Sequence, residues 1–550
     1  MTRVKIVIMK IWVTRAPLAL TAAVACGLAI TSCGAQESPT SVTGVVNNFA
    51  GALSRQDASA AAASTTAPGQ ASELLTGTLN AMHAQRIDIS VHKPVEYSDG
   101  TASFSLTTRY TWAKDRTFET KTAGTLRKLS SGWKIQWDPA LLYTGLTRDA
   151  QLREVRTDAT PAPSVRSASG KSFMVLQPVN QIVLDPSKTT NLKASVAGLV
   201  RTIKPIAPLI TADVIDGMVA KNPGQPITAV TLRNSDMEVL AGNPAKVNGV
   251  SVNRTDMLVM ADRRLNSPLE VGLTNYWQAI RDATSGWQVQ LVQPGQRPTK
   301  LAGEQGPAGK SVPTSINQQV QLSLGDAAVE VAQPATILAL DANTGGILGM
   351  AQNDAAAARG INLDQTYPVG TTLNQVFAAV QRIASAQTTD ETLLDRLGLG
   401  VKFTVPGAAT PAKTNGIGTI DFKPSDFNAS MLNMGALGVA MARSANNSPS
   451  SVAPYVISGT PTKVSDGQLG ALDPVLSKQI LAAMATTAKS GDASDLRRAQ
   501  GLKALVGTNG PQGPGWFVGI QDRKVIVIYT EGAQSGTAAL QVAQKYFTIK

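Results

Sequence analysis

Apolar and polar positions change their spacing several times along the chain, and each change predicts a different element. The alanine-rich stretch 57–63 and residues 71–84 predict helices. Four segments then alternate apolar with polar residues, which is the period of half-buried antiparallel strands. These segments are 86–96, 100–113, 116–130 and 132–139. The first region is therefore predicted to hold helices followed by an antiparallel sheet.

A second pattern begins after Pro161-Ala162-Pro163, which breaks the chain. Strands and helices are mixed here, and they include the stretch 181–186 and an apolar helix near 271–284. Residues 295–312 are rich in Gly, Pro, Gln and Lys and predict a linker. Further on, residues 371–384 form an amphipathic pattern that predicts one helix. Its apolar face is Leu373, Val376, Phe377, Val380 and Ile383.

The first 32 residues have the pattern of a signal peptide. Four basic residues precede an apolar run at 16–31, which is short for a membrane-spanning helix. Translation could start at Met1 or at Met9. Ile30-Thr31-Ser32-Cys33 resembles a bacterial lipobox, which implies cleavage before Cys33 and its lipidation. An ordinary signal peptide that contains a cysteine is the alternative. We expect a protein held by a lipid anchor on the extracytoplasmic face of the bacterial cell membrane.

Composition excludes several kinds of chemistry. Cys26 and Cys33 are the only cysteines, so the exported body has no thiol for a disulfide, a nucleophile or a metal site. The only histidines, His83 and His92, exclude histidine metal sites and Ser-His-Asp triads from the C-terminal half. Removing the signal lowers the net charge from +12 to +8, and no arginine cluster interleaves with aromatics. We expect no nucleic-acid partner, no metal and no cofactor.

Residues 367–374 give the most specific clue. Tyr367-Pro368-Val369-Gly370-Thr371-Thr372-Leu373-Asn374 resembles the Y-P-P-G-S-T-F-K stretch of penicillin-binding proteins. Residues 314–321 resemble the T-T-I-D-x-x-L-Q entry of their transpeptidase domain. Residues 337–351 resemble its first hairpin, and residues 515–529 its last two strands. The order of these landmarks implies the transpeptidase fold of class B penicillin-binding proteins.

The chemistry of that family is altered at its first motif. The resemblance places Thr371 at the nucleophilic serine and Asn374 at the lysine that handles its proton. A hydroxyl is a weak nucleophile without a base beside it, and an asparagine amide takes no proton at neutral pH. The simpler interpretation is that Thr371 and Asn374 only begin the helix. Ser-x-x-Lys does occur at Ser90 and at Ser131, but both lie in predicted strands, where serine and lysine do not share a face.

The other two motifs of the family are also altered. Gly507-Thr508-Asn509-Gly510-Pro511 stands where Gly-Lys-Thr-Gly-Thr is usual, so Thr508 replaces the lysine that attracts a substrate carboxylate. A glycine-rich turn between a helix and a strand also explains this stretch. We interpret Ser444-Ala445-Asn446 as a helix terminus. The expected Ser-x-Asn position lies near Ser385-Ala386-Gln387.

The resemblance implies an α+β multidomain protein. The first folded region resembles the cone-shaped NTF2-like domain that serves as a spacer on some penicillin-binding proteins. The second resembles the pedestal, or dimerisation, domain, and the third the transpeptidase-like α/β/α domain with a central antiparallel sheet. The predicted boundaries are 1–32 for the lipoprotein signal peptide, 33–41 for a tether, 42–157 for the NTF2-like domain, 158–300 for the pedestal and 313–550 for the transpeptidase-like domain.

Three functions are compatible with these observations. The leading one is a catalytically inactive, penicillin-binding-protein-like lipoprotein that binds or scaffolds in cell-wall synthesis or division. The second is an active D,D-transpeptidase with Thr371 as nucleophile, and the third is a lipoprotein unrelated to wall metabolism. The first implies peptidoglycan precursors or cell-wall and division proteins as partners, and we do not expect a stable β-lactam adduct.

Overall fold

The computed structural model describes residues 40–385, 387–408, 426–496 and 499–549. The signal peptide, Cys33 and nearly all of the predicted tether lie outside these ranges. The chain divides into two compact units, Met1–Glu154 with Val289–Ala302 and Val155–Gln288 with Gly303–Lys550. No helix in the described ranges is both long and apolar enough to cross a membrane.

The α-helices are α1 Val42–Ser54, α2 Ala58–Ala63, α3 Pro68–Met82, α4 Leu192–Ile203, α5 Ala212–Lys221, α6 Asn234–Met237, α7 Glu270–Ala283, α8 Gln318–Ala328, α9 Asp354–Ala358, α10 Asn374–Ile383, α11 Asp390–Arg396, α12 Met431–Ala445, α13 Pro474–Ser490 and α14 Ser535–Thr548. The strands are β1 Arg86–Glu96, β2 Thr101–Ala113, β3 Arg116–Leu129, β4 Gly132–Ile135, β5 Gln151–Thr157, β6 Val165–Arg166, β7 Ser172–Leu184, β8 Ile227–Arg233, β9 Val250–Met260, β10 Gly286–Val292, β11 Thr299–Glu304, β12 Val312–Pro313, β13 Ala335–Asp341, β14 Ile347–Gln352, β15 Thr366–Pro368, β16 Lys402–Thr404, β17 Asn428–Ser430, β18 Lys463–Ser465, β19 Lys503–Thr508, β20 Gly515–Gln521 and β21 Lys524–Thr530.

The first unit contains three helices and a four-stranded antiparallel sheet. The sheet has the order β1-β2-β3-β4. Along β2, buried and less buried residues alternate without a break, as the sequence pattern predicted. Strand β4 ends at Ile135, four residues earlier than predicted, because one turn of 3-10 helix, Pro139–Leu141, follows it.

Residues 158–288 of the predicted pedestal fold within the second unit, whereas residues 289–300 belong to the first. Strands β12, β6, β7 and β8 pair in that order, and β9 pairs with β7. Helices α4 and α5 contribute apolar residues to a core with β7 and β8. The predicted linker 295–312 is not free of regular structure, since it contains β11. The sequence pattern did not predict this strand, because Gly, Pro and Gln are more numerous in 295–312 than residues that favour strands, such as Thr and Leu.

The same unit contains a five-stranded sheet of order β14-β13-β21-β20-β19, in which every pair is antiparallel. Helices α8 and α14 contribute to the core on one face, and α10, α12 and α13 to the core on the other. Neighbouring residues of one strand therefore enter opposite cores, as Ile337 and Leu338 do in β13. Strands buried on both faces are continuously apolar, so the alternation rule does not detect them.

Candidate functional site

Thr371 lies at the junction between β15 and α10. The chain leaves β15 through one turn of 3-10 helix, Gly370–Leu373, before α10 begins at Asn374. The predicted single helix over 371–384 is therefore wrong in its first turn. Gly370 has φ +52°, and a Cβ there would come 2.4 Å from the carbonyl oxygen of Thr508. Glycine is required at this position for both reasons.

Aromatic side chains from the central sheet fix this turn. Trp516 Nε1 donates a hydrogen bond of 2.9 Å to the carbonyl of Pro368. The ring of Tyr367 lies 4.2 Å from that of Tyr529, and its hydroxyl accepts the backbone N–H of Asn362 at 3.2 Å. Burial raises the pKa of Tyr367 to about 12. Its phenol is therefore a neutral anchor throughout the physiological range.

The structure brings Thr371 and Thr508 together, as the family resemblance implies for the first and third motifs. Thr371 Oγ1 accepts the Thr508 backbone N–H at 3.1 Å and donates to the Thr508 carbonyl at 3.3 Å. This close approach depends on Gly507, where a Cβ would come 2.3 Å from the backbone nitrogen of Thr372. The strand end is thus held directly against the turn, and the space between the two motifs is filled by the chain itself.

Asn374 supplies no base to this site. It is the exposed first residue of α10, three positions after Thr371. In a 3-10 turn, residues three apart lie one above the other, so Asn374 shares a face with Thr371. In the described ranges, no hydrogen bond links the two side chains, and an amide does not accept a proton at pH 7. The arrangement positions the Thr371 hydroxyl, and the side chain of Asn374 is not a base for it.

The side chain of Thr508 is directed away from Thr371. Its hydroxyl donates to the carbonyl of Gly510 at 2.7 Å and lies 3.4 Å from the hydroxyl of Ser535, the first residue of α14. Asn509 and Gly510 are exposed and begin a turn, which the Asn509 N–H closes on the carbonyl of Pro514 at 2.9 Å. The turn therefore begins only after Thr508 and joins β19 to β20, so the prediction that it lies between a helix and a strand is wrong. Gly507 and Thr508 themselves complete β19.

Ser444-Ala445-Asn446 is at the C-terminal end of α12, as predicted. The side chain of Asn446 donates to Asn343 at 3.2 Å. Ser430, at the other end of this helix, is adjacent to β15 through the pairing of Thr366 with Ser430. The helix has 15 residues, which is about 22 Å at 1.5 Å per residue. The triplet is therefore at the end of α12 that is farther from β15.

The remaining candidates lie outside the turn that contains Thr371. Ser385 follows the last turn of α10, where its hydroxyl accepts the N–H of Thr388 at 3.2 Å. Ala386 lies outside the described residues. Ser90 is within β1, and Ser131 is in the turn between β3 and β4. Neither is one helical turn from a lysine, so both Ser-x-x-Lys sequences are chance matches.

Two features near the site were not predicted from the sequence. The first is the set of aromatic rings, Tyr367, Trp516 and Tyr529. The pairing of Trp516 with Tyr529 across two strands is the signal that could have revealed it. The second is Asp364, whose Oδ1 is buried without a partner among the described residues. Burial raises the pKa of Asp364 to about 6, and the charge of Lys402 partly offsets this effect. No pattern in the sequence marks it.

Comparison with known families identifies the first folded domain. Residues 42–150 match the model of the NTF2-like N-terminal transpeptidase domain. This domain is similar to that family. The match confirms the predicted likeness to the N-terminal domain of penicillin-binding proteins and indicates a related cell-wall function. No curated protein matches the chain. Within the described residues, no group of three or more His, Cys, Asp or Glu side chains is arranged to hold a metal ion.

Proposed function

We propose that this protein is a catalytically inactive relative of class B penicillin-binding proteins, and that it binds or scaffolds other components in peptidoglycan synthesis or division. Two observations support the proposal. The first domain matches a family of transpeptidase N-terminal domains. In the C-terminal region, the hydroxyl of Thr371 is engaged with the backbone of Thr508 instead of with a base.

The proposed inactivity follows from the side chains at the motif positions. Acyl transfer needs a hydroxyl whose proton is removed as it attacks, and a positioned base contributes roughly 10²–10⁴-fold to such a step. Asn374 cannot be that base. The Thr508 side chain carries no charge for a substrate carboxylate, and it is directed toward Gly510 and Ser535. Attack would also require Thr371 to give up the hydrogen bond that it donates to the Thr508 carbonyl, because that proton has to pass to a base.

Labelling with a fluorescent penicillin tests the proposal. The purified mature protein and its Thr371→Ala variant are incubated with the probe and examined by gel fluorescence and intact mass. An acylating penicillin-binding protein, run in parallel, shows that the probe is reactive. We expect no adduct on either form. An adduct on the parent protein that disappears in Thr371→Ala would instead support an active D,D-transpeptidase with Thr371 as nucleophile.

The proposed location is the extracytoplasmic face of the cell membrane, with a lipid anchor at Cys33. Partners of a scaffold at this place would be division or wall-synthesis proteins, or peptidoglycan precursors. Isolation of the lipidated protein from membranes, followed by identification of the proteins that accompany it, tests this part. The matched control is Cys33→Ala. If this variant is exported without an anchor, membrane partners should not be recovered with it. Recovery of the same proteins with the unanchored form would show that the anchor does not select them.

A further inference from the structure

Strand β19 is at the edge of the five-stranded sheet. Edge strands expose N–H and C=O groups that can pair with another chain, and proteins cover or block such edges. The amide and carbonyl of Thr508 both point away from β20, because both are hydrogen-bonded to Thr371 on the other side. Thr508 is therefore the last position of β19 at which an added strand would make a pair of hydrogen bonds.

We propose that Thr371 acts as a lock that closes the C-terminal end of the β19 edge. A single hydroxyl accepts the Thr508 N–H and donates to the Thr508 carbonyl, so it satisfies both groups that an added strand would use at this position. An extended peptide that pairs with this end of the edge must first displace Thr371. The inference gives the residue at the nucleophile position a role that needs no chemistry, and it goes beyond the proposed inactivity.

The surroundings hold the lock closed. On one side, Gly370 and Gly507 allow the turn and the strand to approach, since a Cβ on either would collide with the backbone opposite. On the other side, the Thr508 hydroxyl is bonded to Gly510 and lies near Ser535, which fixes the strand end against α14. The γ-methyl of Thr371 also restricts χ1, so a threonine hydroxyl is held in one direction more firmly than that of serine.

Amide hydrogen exchange of the full mature protein tests the lock. Exchange is followed by mass spectrometry of peptides that cover 503–510, in the parent and in three variants. Thr371→Val keeps the shape of the side chain but removes the hydroxyl, and Thr371→Ser keeps the hydroxyl but removes the methyl. The matched control is Thr372→Val. Thr372 is the next residue, it is buried, and its hydroxyl has no partner among the described residues.

We expect the Thr508 amide of Thr371→Val to exchange about fivefold faster than in the parent, the factor that corresponds to one hydrogen bond of about 1 kcal/mol. Thr371→Ser should lie between the parent and Thr371→Val, and Thr372→Val should match the parent. Equal exchange in the parent and Thr371→Val would overturn the lock. So would acceleration in Thr372→Val as large as in Thr371→Val, because the cause would then be altered packing. A penicillin adduct would contradict the proposed inactivity but would leave this result unchanged.

Discussion

The rings of Tyr367 and Tyr529 lie 4.2 Å apart, and this contact anchors the loop before Thr371 in the central sheet. Tyr529 is fully buried in β21, and its hydroxyl donates to Glu531 at 2.7 Å. Burial, together with that hydrogen bond, raises the pKa of Tyr529 well above its usual value. Trp516 completes the set and holds the carbonyl of Pro368. The position of the turn is therefore decided by packing on strands that lie far away in sequence.

Removal of the Tyr367 ring should release this anchor. Tyr367 is 6% exposed, and replacing a buried aromatic ring with alanine costs about 3–5 kcal/mol. We expect Tyr367→Ala to lower the free energy of unfolding by about that amount in urea titrations. Tyr367→Phe is the control, because it keeps the ring and loses only the hydrogen bond from Asn362. A loss in Tyr367→Phe as large as in Tyr367→Ala would show that the hydroxyl, not ring packing, is the anchor.

Gly507 should tolerate no side chain. A Cβ there would come 2.3 Å from the backbone nitrogen of Thr372, so strand and turn would have to separate. We expect Gly507→Ala to lower the free energy of unfolding by about 1–3 kcal/mol, the usual cost of overpacking. Gly325→Ala is the control, and we expect its effect on stability to have the opposite sign. Gly325 is inside α8 with open space around its Cβ position, so alanine should stabilise the protein by about 0.5–1 kcal/mol. Equal effects of the two changes would contradict the close approach.

Asp364 should make stability depend on pH. Because its pKa rises to about 6 in the folded state, the folded protein binds more protons than the unfolded chain between about pH 4 and pH 6. Stability should therefore fall as pH rises through that window and then level off, by about 2–3 kcal/mol for this group. Urea titrations from pH 4 to pH 8 measure this slope in the parent and in Asp364→Asn, in which it should be smaller.

Lys402 provides an independent check of the same carboxyl. Its charge opposes the effect of burial on Asp364. Lys402→Gln should therefore raise the pKa of Asp364 further and extend the pH-dependent window above pH 6. If Asp364→Asn has the same slope as the parent between pH 4 and pH 6, the carboxyl is not buried as the structure shows.

Cys33 should decide where the protein is found. If Cys33 is lipidated, Cys33→Ala should move the protein from the membrane fraction to the medium or leave an uncleaved precursor. A single acyl chain binds membranes only marginally, so stable attachment requires more than one chain. Fractionation with immunoblotting measures this distribution. An unchanged membrane fraction with unchanged mobility would contradict lipidation.

Restoring the family's lysine at position 374 alone should not restore reaction with penicillin. Asn374→Lys supplies an amine one turn from Thr371. The Thr371 hydroxyl stays bonded to Thr508, however, and the Thr508 side chain carries no charge for a substrate carboxylate. Catalytic groups that act as a unit are strongly non-additive, so a single repair recovers little. We expect no penicillin adduct on Asn374→Lys by intact-mass spectrometry. An adduct on this variant would mean that the missing base alone causes inactivity.

The sequence by itself determined three strands of the first unit, but it did not predict helix α1. The strands β1, β2 and β3 begin and end within one residue of the predicted segments, because their alternation reflects one buried face, which is a local property. The same holds for the apolar helix α7 and for the end of α12 at Ala445. Likewise, the loss of a base at Asn374 and of a lysine at Thr508 is a matter of residue identity, which needs no structure.

Only the tertiary structure decided how the motif positions meet. The 3-10 turn at Gly370–Leu373 exists because β19 approaches so closely that Gly370 and Gly507 are needed, and such a non-local contact leaves no periodic signal. Strand β11 was missed for a different reason: it pairs with β10, the strand that precedes it, but Gly, Pro and Gln dominate the stretch that contains it. The two hydrogen bonds between Thr371 and Thr508 join residues 137 positions apart. Folding of the sheet brings them together, and that contact makes Thr371 a structural partner of the strand.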